Sequence, residues 1–224
     1  MNTPGGALSK MSMVVFFILD KSGSMGNGKI QALNTAIREI LPVMKEIEDD
    51  HGSVELYVMA LAFSTGVEWI IAKMTRIGDI SWPTLKAGGS TSMGLALKEV
   101  AKQLESPPLP KPCYSPACVL VSDGKPTDNM NNGLAVYNNS TFGPMCIRAA
   151  IGIGDDCDYT VLQNFIGNSE IKPLRADNPE ELKDLFKMVT INSIKNSASP
   201  NSIKKVSPEG SDVVSNSSQS VTRW

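Results

Sequence analysis

The feature that most constrains the fold is an uninterrupted apolar run, residues 13–19 (MVVFFIL), which ends directly at Asp20. Such a run is typical of a central strand buried on both faces of a sheet. It is too short to span a bilayer, and charged residues follow it where a signal peptide would have a small-residue cleavage site. The run therefore predicts an α/β protein, and with no export or membrane signal we expect a cytoplasmic location.

Strand and helix patterns alternate along the rest of the sequence, which predicts a mainly parallel sheet covered on both faces. The link at 64–66 is so short that the strand after it is expected to form an antiparallel edge hairpin. Pro42 is expected to kink the first helix or to split off its last turn. Further strands are predicted at 54–63, 67–72, 117–121, 146–153 and near 171–174, helices at 30–47, 93–104, after Asp158 and near Glu180, a loop at 73–90, and a helix or loop at 127–140.

The domain organisation follows from where large apolar residues occur. We expect a flexible lead-in at 1–12, one domain at 13–192 and a Ser-rich tail at 193–224. The tail has few large apolar side chains, so the area it can bury does not offset the entropy of ordering it. It is therefore predicted to be flexible.

Charge and composition exclude several classes of function. The chain has 21 basic and 23 acidic residues and a pI near 5.5, so it lacks the basic footprint of a nucleic-acid-binding protein. The lone histidine, His51, excludes a His-rich metal site. No C-x-x-C pair occurs, which argues against a zinc knuckle. A Cys113–Cys118 disulfide is an alternative, but reduced thiols are favoured, with Cys118 and Cys146 as small buried apolar residues.

Three segments carry oxygen-bearing side chains near predicted strand ends: Asp20-Lys21-Ser22-Gly23-Ser24, Gly88-Gly89-Ser90-Thr91 and Ser122-Asp123-Gly124. Ligands of open α/β sheets bind at the carboxyl ends of the strands, where the strand order reverses. If the first strand is central and the 117–121 strand is its neighbour across that point, the three segments converge. Their carboxylates and hydroxyls form the all-oxygen set that a hard cation such as Mg²⁺ takes.

With D-x-S-x-S after a buried strand, G-G-S-T before a helix and a later S-D-G, the sequence resembles the von Willebrand factor A domain from about residue 13 to about residue 191. It matches all five positions of that family's metal-ion-dependent adhesion site (MIDAS). The resemblance implies a Rossmann-like three-layer sandwich. It also implies that Ser22, Ser24 and Thr91 bind the cation directly, and that Asp20 and Asp123 act through waters. The implied cation is Mg²⁺, with Mn²⁺ or Ca²⁺ as alternatives.

In size and style the chain is similar to stand-alone bacterial TerY-like members of this family, which are associated with tellurium resistance and stress operons. The resemblance implies a non-enzymatic interaction module whose metal captures an Asp or Glu of a protein partner. A kinase or phosphatase of the same operon is the candidate partner. Neither nucleic acid nor membrane insertion is expected.

Two enzyme classes and a passive role are the alternatives. The stretch GSMGNGKI at 23–30 fits G-x-x-x-x-G-K, but Ile30 stands where a P-loop needs Ser or Thr. A haloacid-dehalogenase-like, Mg-dependent phosphohydrolase would use Asp20 as nucleophile, but Ser22 stands where its second carboxylate is needed. A scaffold whose metal only rigidifies the loops also remains open.

Other charged residues near these motifs are assigned no function from the sequence. Lys21 and Lys29 are interpreted as solvated side chains. Asp155, Asp156 and Asp158 form an acidic cluster that is interpreted as loop solvation, with Asp158 as a helix N-cap.

Overall fold

The computed structural model describes residues 10–105 and 113–198. Its strands are β1 (Met11–Asp20), β2 (Val54–Phe63), β3 (Val67–Arg76), β4 (Ala117–Ser122), β5 (Ile147–Ile153) and β6 (Leu174–Ala176). Its α-helices are α1 (Lys29–His51), α2 (Met93–Glu105), α3 (Met130–Asn139), α4 (Tyr159–Ile166) and α5 (Pro179–Ala198). Most of the expected lead-in, residues 1–9, and most of the expected tail, residues 199–224, lie outside the described residues.

The strands form one sheet in the order β3-β2-β1-β4-β5-β6. β1 pairs in parallel with both β2 and β4, and the pairs β4–β5 and β5–β6 are also parallel. β3 pairs antiparallel with β2 at the edge of the sheet. The predicted parallel sheet with one antiparallel edge strand is therefore confirmed. The strand order reverses between β1 and β4, so the carboxyl ends of these two neighbours form the switch point.

Helices cover both faces of the sheet and give the predicted three layers. Alternate residues of β1 enter two separate apolar clusters, with Phe17 on the side of α1 and α5 and Phe16 on the side of α2, α3 and α4. Phe17 packs edge-on against Phe186 of α5, with ring centroids 5.2 Å apart. A strand between two cores needs apolar side chains in both directions, which is why residues 13–19 are apolar without alternation.

Helix α1 is continuous through Pro42, so the expectation that its last turn would split off is wrong. Pro42 lies on the exposed face of the helix. Leu41, directly before it, and Met44, two residues after it, are buried in the apolar cluster that α1 shares with the sheet. Burial both before and after the proline holds the helix together in spite of the hydrogen bond that proline cannot donate.

Two other element boundaries differ from the predictions, and the helix-or-loop alternative at 127–140 is decided for a helix. β3 continues to Arg76, through residues expected to be loop, and the Arg76 guanidinium binds Glu48 of α1 at 3.1 Å and Glu55 of β2 at 2.9 Å. The uncertain segment at 127–140 contains α3, which the Asn129 side chain caps by accepting from the Asn132 N–H. The last strand is Leu174–Ala176, slightly after the predicted 171–174, where it pairs with the end of β5.

Both expected limits of the domain fall inside regular structure. β1 begins at Met11, within the expected lead-in, and Ser12 is buried. α5 runs to Ala198, beyond the expected boundary at 192, and buries Ser193 and Ile194. The helix gains this length because Ile194 joins the apolar cluster shared with α1.

The cysteines within residues 10–105 and 113–198 are buried or half-buried. Cys113 and Cys118 form no disulfide, as favoured from the sequence. Cys118 is buried and Cys146 is half-buried. Over the same ranges, no helix combines the length and the apolar character needed to cross a membrane.

Candidate metal centre

Two of the three polar segments are in direct backbone contact at the switch point. β1 ends at Asp20, and the chain then turns through Ser22 into a short 3-10 turn at Gly23–Met25. The Gly88 N–H donates to the Lys21 carbonyl at 2.8 Å, and the Gly23 N–H donates to the Gly89 carbonyl at 2.9 Å. These two bonds fix the loop that carries Thr91 against the loop that carries the serines.

Two glycines permit close approaches that any side chain would prevent. Gly89 has φ +84°, and a Cβ there would lie 2.5 Å from Thr65 Oγ1. Gly124 has φ +79°, and a Cβ there would lie 2.6 Å from the Asp158 carbonyl. Glycine tolerates a positive φ without steric strain, so these positions explain the glycines of G-G-S-T and S-D-G.

Asp20 is buried and held by hydrogen bonds on both oxygens. Its Oδ1 accepts from the Ser22 N–H at 2.7 Å, and its Oδ2 accepts from the Ser122 hydroxyl at 2.5 Å. Ser122 Oγ in turn accepts from the Gly124 N–H at 2.9 Å. Burial raises the pKa of Asp20, the bonds from Ser122 and Ser22 oppose that rise, and the nearby charge of Asp123 adds to it. Ser122 belongs to the S-D-G motif, but nothing in the sequence marks its contact with Asp20, 102 positions away.

The hydroxyl groups of the predicted set lie on the two loops described above. Ser22 Oγ and Ser24 Oγ are 3.0 Å apart, with Ser22 buried and Ser24 exposed. Thr91 is buried, and a reciprocal pair with Thr127 holds its backbone. The Thr91 N–H donates to Thr127 Oγ1 at 2.9 Å, and the Thr127 N–H donates to the Thr91 carbonyl at 2.9 Å. Thr127 was not singled out from the sequence, because nothing local marks it.

Asp123 differs from Asp20 because its carboxylate oxygens lack hydrogen-bond partners. Both oxygens are shielded from solvent, and within the described part of the chain neither accepts a hydrogen bond. The Lys29 ammonium lies 3.6 Å from Oδ2, as an ion pair beyond hydrogen-bonding distance. An ionised carboxylate in this state is costly unless a further group binds it. The residues present therefore fit a bound cation.

Lys29 is an ion-pairing residue rather than a solvated one, which corrects the sequence interpretation. Its ammonium donates to Asp156 Oδ1 at 2.6 Å, and its side chain is only 17% exposed. Partial burial acts to lower the pKa of Lys29, but the bond to Asp156 and the charge of Asp123 outweigh it and raise that pKa. The bond from Lys29 lowers the pKa of Asp156.

The other charged residues near the site have simpler contacts. Lys21 pairs with Glu68 of β3 at 2.5 Å, so it too is paired rather than merely solvated. Asp158 caps α4 as predicted, by accepting from the Thr160 N–H at 3.1 Å and the Val161 N–H at 3.4 Å. These contacts account for Lys21 and Asp158 without a ligand.

Three residues bear on whether the chain could act as an enzyme: Ile30, Cys157 and His51. Ile30, in the P-loop Ser/Thr position, is buried in the apolar core and has no oxygen to offer a cation. Cys157 Sγ donates to the Ser122 carbonyl at 3.7 Å, and burial raises its pKa to about 12, so it is no thiolate nucleophile at neutral pH. His51 is exposed at the far end of α1.

The residues predicted from the sequence offer oxygen atoms only. Among the described residues, no group of three or more His, Cys, Asp or Glu side chains is placed to hold a metal ion. The set at the switch point instead combines two carboxylates with three hydroxyls, which are the oxygen ligands that Mg²⁺ and Ca²⁺ take.

Comparison with known proteins identifies the fold family. Residues 15–188 match the model of the von Willebrand factor type A domain. Similar solved structures include a von Willebrand factor type A protein from Catenulispora acidiphila (18% identity, TM-score 0.62, covering 83% of this chain and 43% of that one). They also include the ArnB paralog VWA2 from Sulfolobus acidocaldarius (20%, 0.57, 80% and 44%) and the pilus adhesin SpaC from Lactobacillus rhamnosus GG (17%, 0.61, 84% and 31%).

These structural matches are similarities of fold. The chain spans less than half the length of each of the three solved chains. No curated protein sequence matches it significantly.

Proposed function

Because this chain belongs to the von Willebrand factor type A domain family, we propose that it is a protein-interaction module with a complete MIDAS. Asp20, Ser22, Ser24, Thr91 and Asp123 would hold a divalent cation, Mg²⁺ with Mn²⁺ or Ca²⁺ as alternatives. The ligand of that cation would be an Asp or Glu carboxylate of a partner protein. Domains of this family often bind a divalent metal at this site and mediate protein–protein interactions.

The observation that carries the proposal is the state of Asp123. Its two oxygens are buried without a hydrogen bond in the described structure, beside a second buried carboxylate, Asp20. Two neighbouring carboxylates that are shielded from water repel each other, and the charge of Asp123 contributes to the raised pKa of Asp20. A divalent cation relieves both the repulsion and the unmet hydrogen-bonding capacity.

The chemistry of the ligands explains why such a site would bind an acidic partner. Ser22, Ser24 and Thr91 are neutral, so direct ligation by their hydroxyls leaves most of the positive charge on the cation. When bound, the cation supplies a coordination position for a carboxylate from outside the domain. Ser24 is the exposed member of the set, so the site opens to solvent on its side. No further carboxylate of the chain is needed to complete the set.

A role without catalysis accompanies this proposal. The family consists mostly of non-enzymatic interaction and adhesion modules. On the TerY-like features of the sequence, we extend the proposal to a cytoplasmic partner in a bacterial stress or tellurium-resistance system, with a kinase or phosphatase of the same operon as candidate.

The test is cation binding by isothermal titration calorimetry on the full chain. Wild type should bind Mg²⁺ or Mn²⁺, and Thr91→Ala should abolish binding because it removes a direct ligand. Ser90→Ala is the matched control, since it removes a neighbouring hydroxyl that the proposal does not use, and it should bind as wild type does. Absence of cation binding by wild type would refute the proposal.

A second experiment tests the partner. A tagged wild-type chain should retain one protein from a bacterial lysate with Mg²⁺ present, and EDTA should release it. The same protein should bind Ser90→Ala but not Thr91→Ala, and changing its contacting Asp or Glu to Asn or Gln should abolish binding. Retention that is indifferent to both EDTA and Thr91→Ala would contradict metal-mediated recognition.

A further inference from the structure

Lys29 stands out because its charge lies next to a predicted metal-binding carboxylate and not in solvent. It is the first residue of α1, and its ammonium lies 3.6 Å from Asp123 Oδ2. At this distance the ammonium balances the charge of Asp123 but uses none of its hydrogen-bonding capacity. Both Asp123 oxygens therefore remain available although the carboxylate has a counter-charge.

The hydrogen bond of the same ammonium goes to Asp156, at 2.6 Å. Asp156 lies in the loop after β5, so the contact joins the start of α1 to the other side of the switch point. Gly154 makes room for the lysine, because a Cβ at that position would lie 2.7 Å from Lys29 Cε. Asp156 is 62% exposed whereas Asp123 is buried, so the lysine is anchored at the solvent side and directed at the buried carboxylate.

We propose that Lys29 is an internal counter-ion of the metal site, which balances Asp123 when no divalent cation is bound, weakens cation binding, and is held in place by Asp156. The inference rests on the proposed function, because it takes Asp123 as part of the cation site. It goes further because a residue outside the five-residue motif, Lys29, then controls how tightly the site binds a cation.

The expected effects follow from charge. Without Lys29, Asp123 keeps its burial and loses its counter-charge, so the metal-free protein becomes less stable. Toward a cation the same change removes a nearby positive charge that repels it. Charges a few ångströms apart at a protein surface interact by more than twice the thermal energy. Because about 2.3 times the thermal energy corresponds to a factor of ten in affinity, removal of Lys29 should tighten cation binding by about tenfold or more.

The first experiment compares wild type, Lys29→Met and Lys125→Met by calorimetric titration with Mg²⁺ and with Mn²⁺ at near-physiological salt. Methionine keeps the unbranched apolar stem and removes the charge. Lys125 is the matched control, since it is exposed and acts on Asp156 but is not paired with Asp123. Lys29→Met should bind about tenfold more tightly and Lys125→Met should stay within about twofold of wild type. Equal or weaker binding by Lys29→Met would overturn the proposal.

The second experiment needs no bound cation. In EDTA, Lys29→Met should melt at a lower temperature than wild type, whereas adding Lys29→Met to Asp123→Asn should change the melting temperature little. Additive effects in this double-mutant cycle would overturn the Lys29–Asp123 pairing.

The two experiments together separate failure of this inference from failure of the proposed function. If wild type binds cation and Lys29→Met binds it no more tightly, the inference fails and the proposed function stands. If no variant binds a cation, the proposed function fails. If Lys29→Met and Asp123→Asn are then still non-additive in EDTA, the Lys29–Asp123 pair contributes to fold stability alone, and the counter-ion role at a metal site is overturned as well.

Discussion

Buried carboxylates lie at both ends of the sheet, and two of them, Glu48 and Asp123, differ in how their oxygens are bonded. Near the start of β2, Glu48 is buried and both of its oxygens are bonded: Oε2 accepts from the Leu56 N–H at 2.5 Å and Oε1 accepts from Arg76 at 3.1 Å. Lys45 adds a further ion pair at 3.4 Å. At the carboxyl end of β4, Asp123 is equally buried, yet neither of its oxygens accepts a hydrogen bond in the described structure.

The difference separates a structural carboxylate from a candidate ligand. A buried charge is stable only when it is paired and hydrogen-bonded, and Glu48 obtains every partner from its own chain. Among the described residues, the Asp123 carboxylate has Lys29 as a counter-charge and no hydrogen-bond donor. Burial of a carboxylate therefore does not by itself indicate a binding site. A buried carboxylate whose oxygens accept no hydrogen bond does indicate one, and the proposed cation site rests on that observation at Asp123.

The largest expected effect on the free energy of unfolding is at Glu48, whose two carboxylate oxygens are both bonded. Glu48→Ala should lower the free energy of unfolding by about 3 kcal/mol, because it leaves the buried Leu56 N–H without an acceptor and removes one of the two carboxylates that pair with Arg76. Urea denaturation with and without Mg²⁺ measures it, and the loss should be the same in both conditions. A loss that Mg²⁺ restores would break the distinction between the two ends.

The second largest expected effect on the free energy of unfolding comes from cation binding at the proposed site that contains Asp123. At about a hundred times the dissociation constant, Mg²⁺ or Mn²⁺ should raise the free energy of unfolding of wild type by about 2.7 kcal/mol, since it binds only the native state. Asp20→Ala or Thr91→Ala should abolish this gain and leave the fold intact by circular dichroism. Persistence of the gain in both variants would place the cation elsewhere.

A smaller effect should follow from loosening one predicted ligand without removing it. Thr127→Val deletes the hydroxyl that accepts from the Thr91 N–H. Loss of one such bond is worth about 1 kcal/mol, so cation affinity should fall by about fivefold while Thr91 itself is unchanged. Calorimetric titration of Thr127→Val, run together with Thr91→Ala, measures this loss of cation affinity. If Thr127→Val bound the cation as tightly as wild type, the Thr91–Thr127 pair would not position the Thr91 hydroxyl.

The smallest effect should come from an exposed pair next to the site. Lys21→Met removes the ion pair with Glu68, which lies in solvent, and should change the free energy of unfolding by less than about 0.5 kcal/mol. Urea denaturation at low and high salt checks it. A change as large as that of Glu48→Ala would show that proximity to the site, and not burial, controls the energetics.

Much of the architecture was predictable because its signals are local. The apolar run of β1 predicts a strand between two cores, and the short link after β2 predicts the antiparallel edge, both of which the sheet order confirms. The last turn of α1 does not split off at Pro42, because the burial of Leu41 and Met44 outweighs the local effect of the proline. Regular structure also extends past residues 12 and 192, since burial of Ser12 and Ile194 depends on partners distant in sequence.

What the sequence by itself determined is the chemical composition of the candidate site and its place at strand ends, because D-x-S-x-S, G-G-S-T and S-D-G are each contiguous and each follows or precedes a recognisable element. Only the tertiary structure decided which of these side chains have hydrogen-bond or ion-pair partners. Ser122 binds Asp20 across 102 positions and Lys29 binds Asp156 across 127. Contacts at such separations leave no periodicity in the sequence. They exist because the sheet brings β1, β4 and β5 side by side, and the state of Asp123 depends on them.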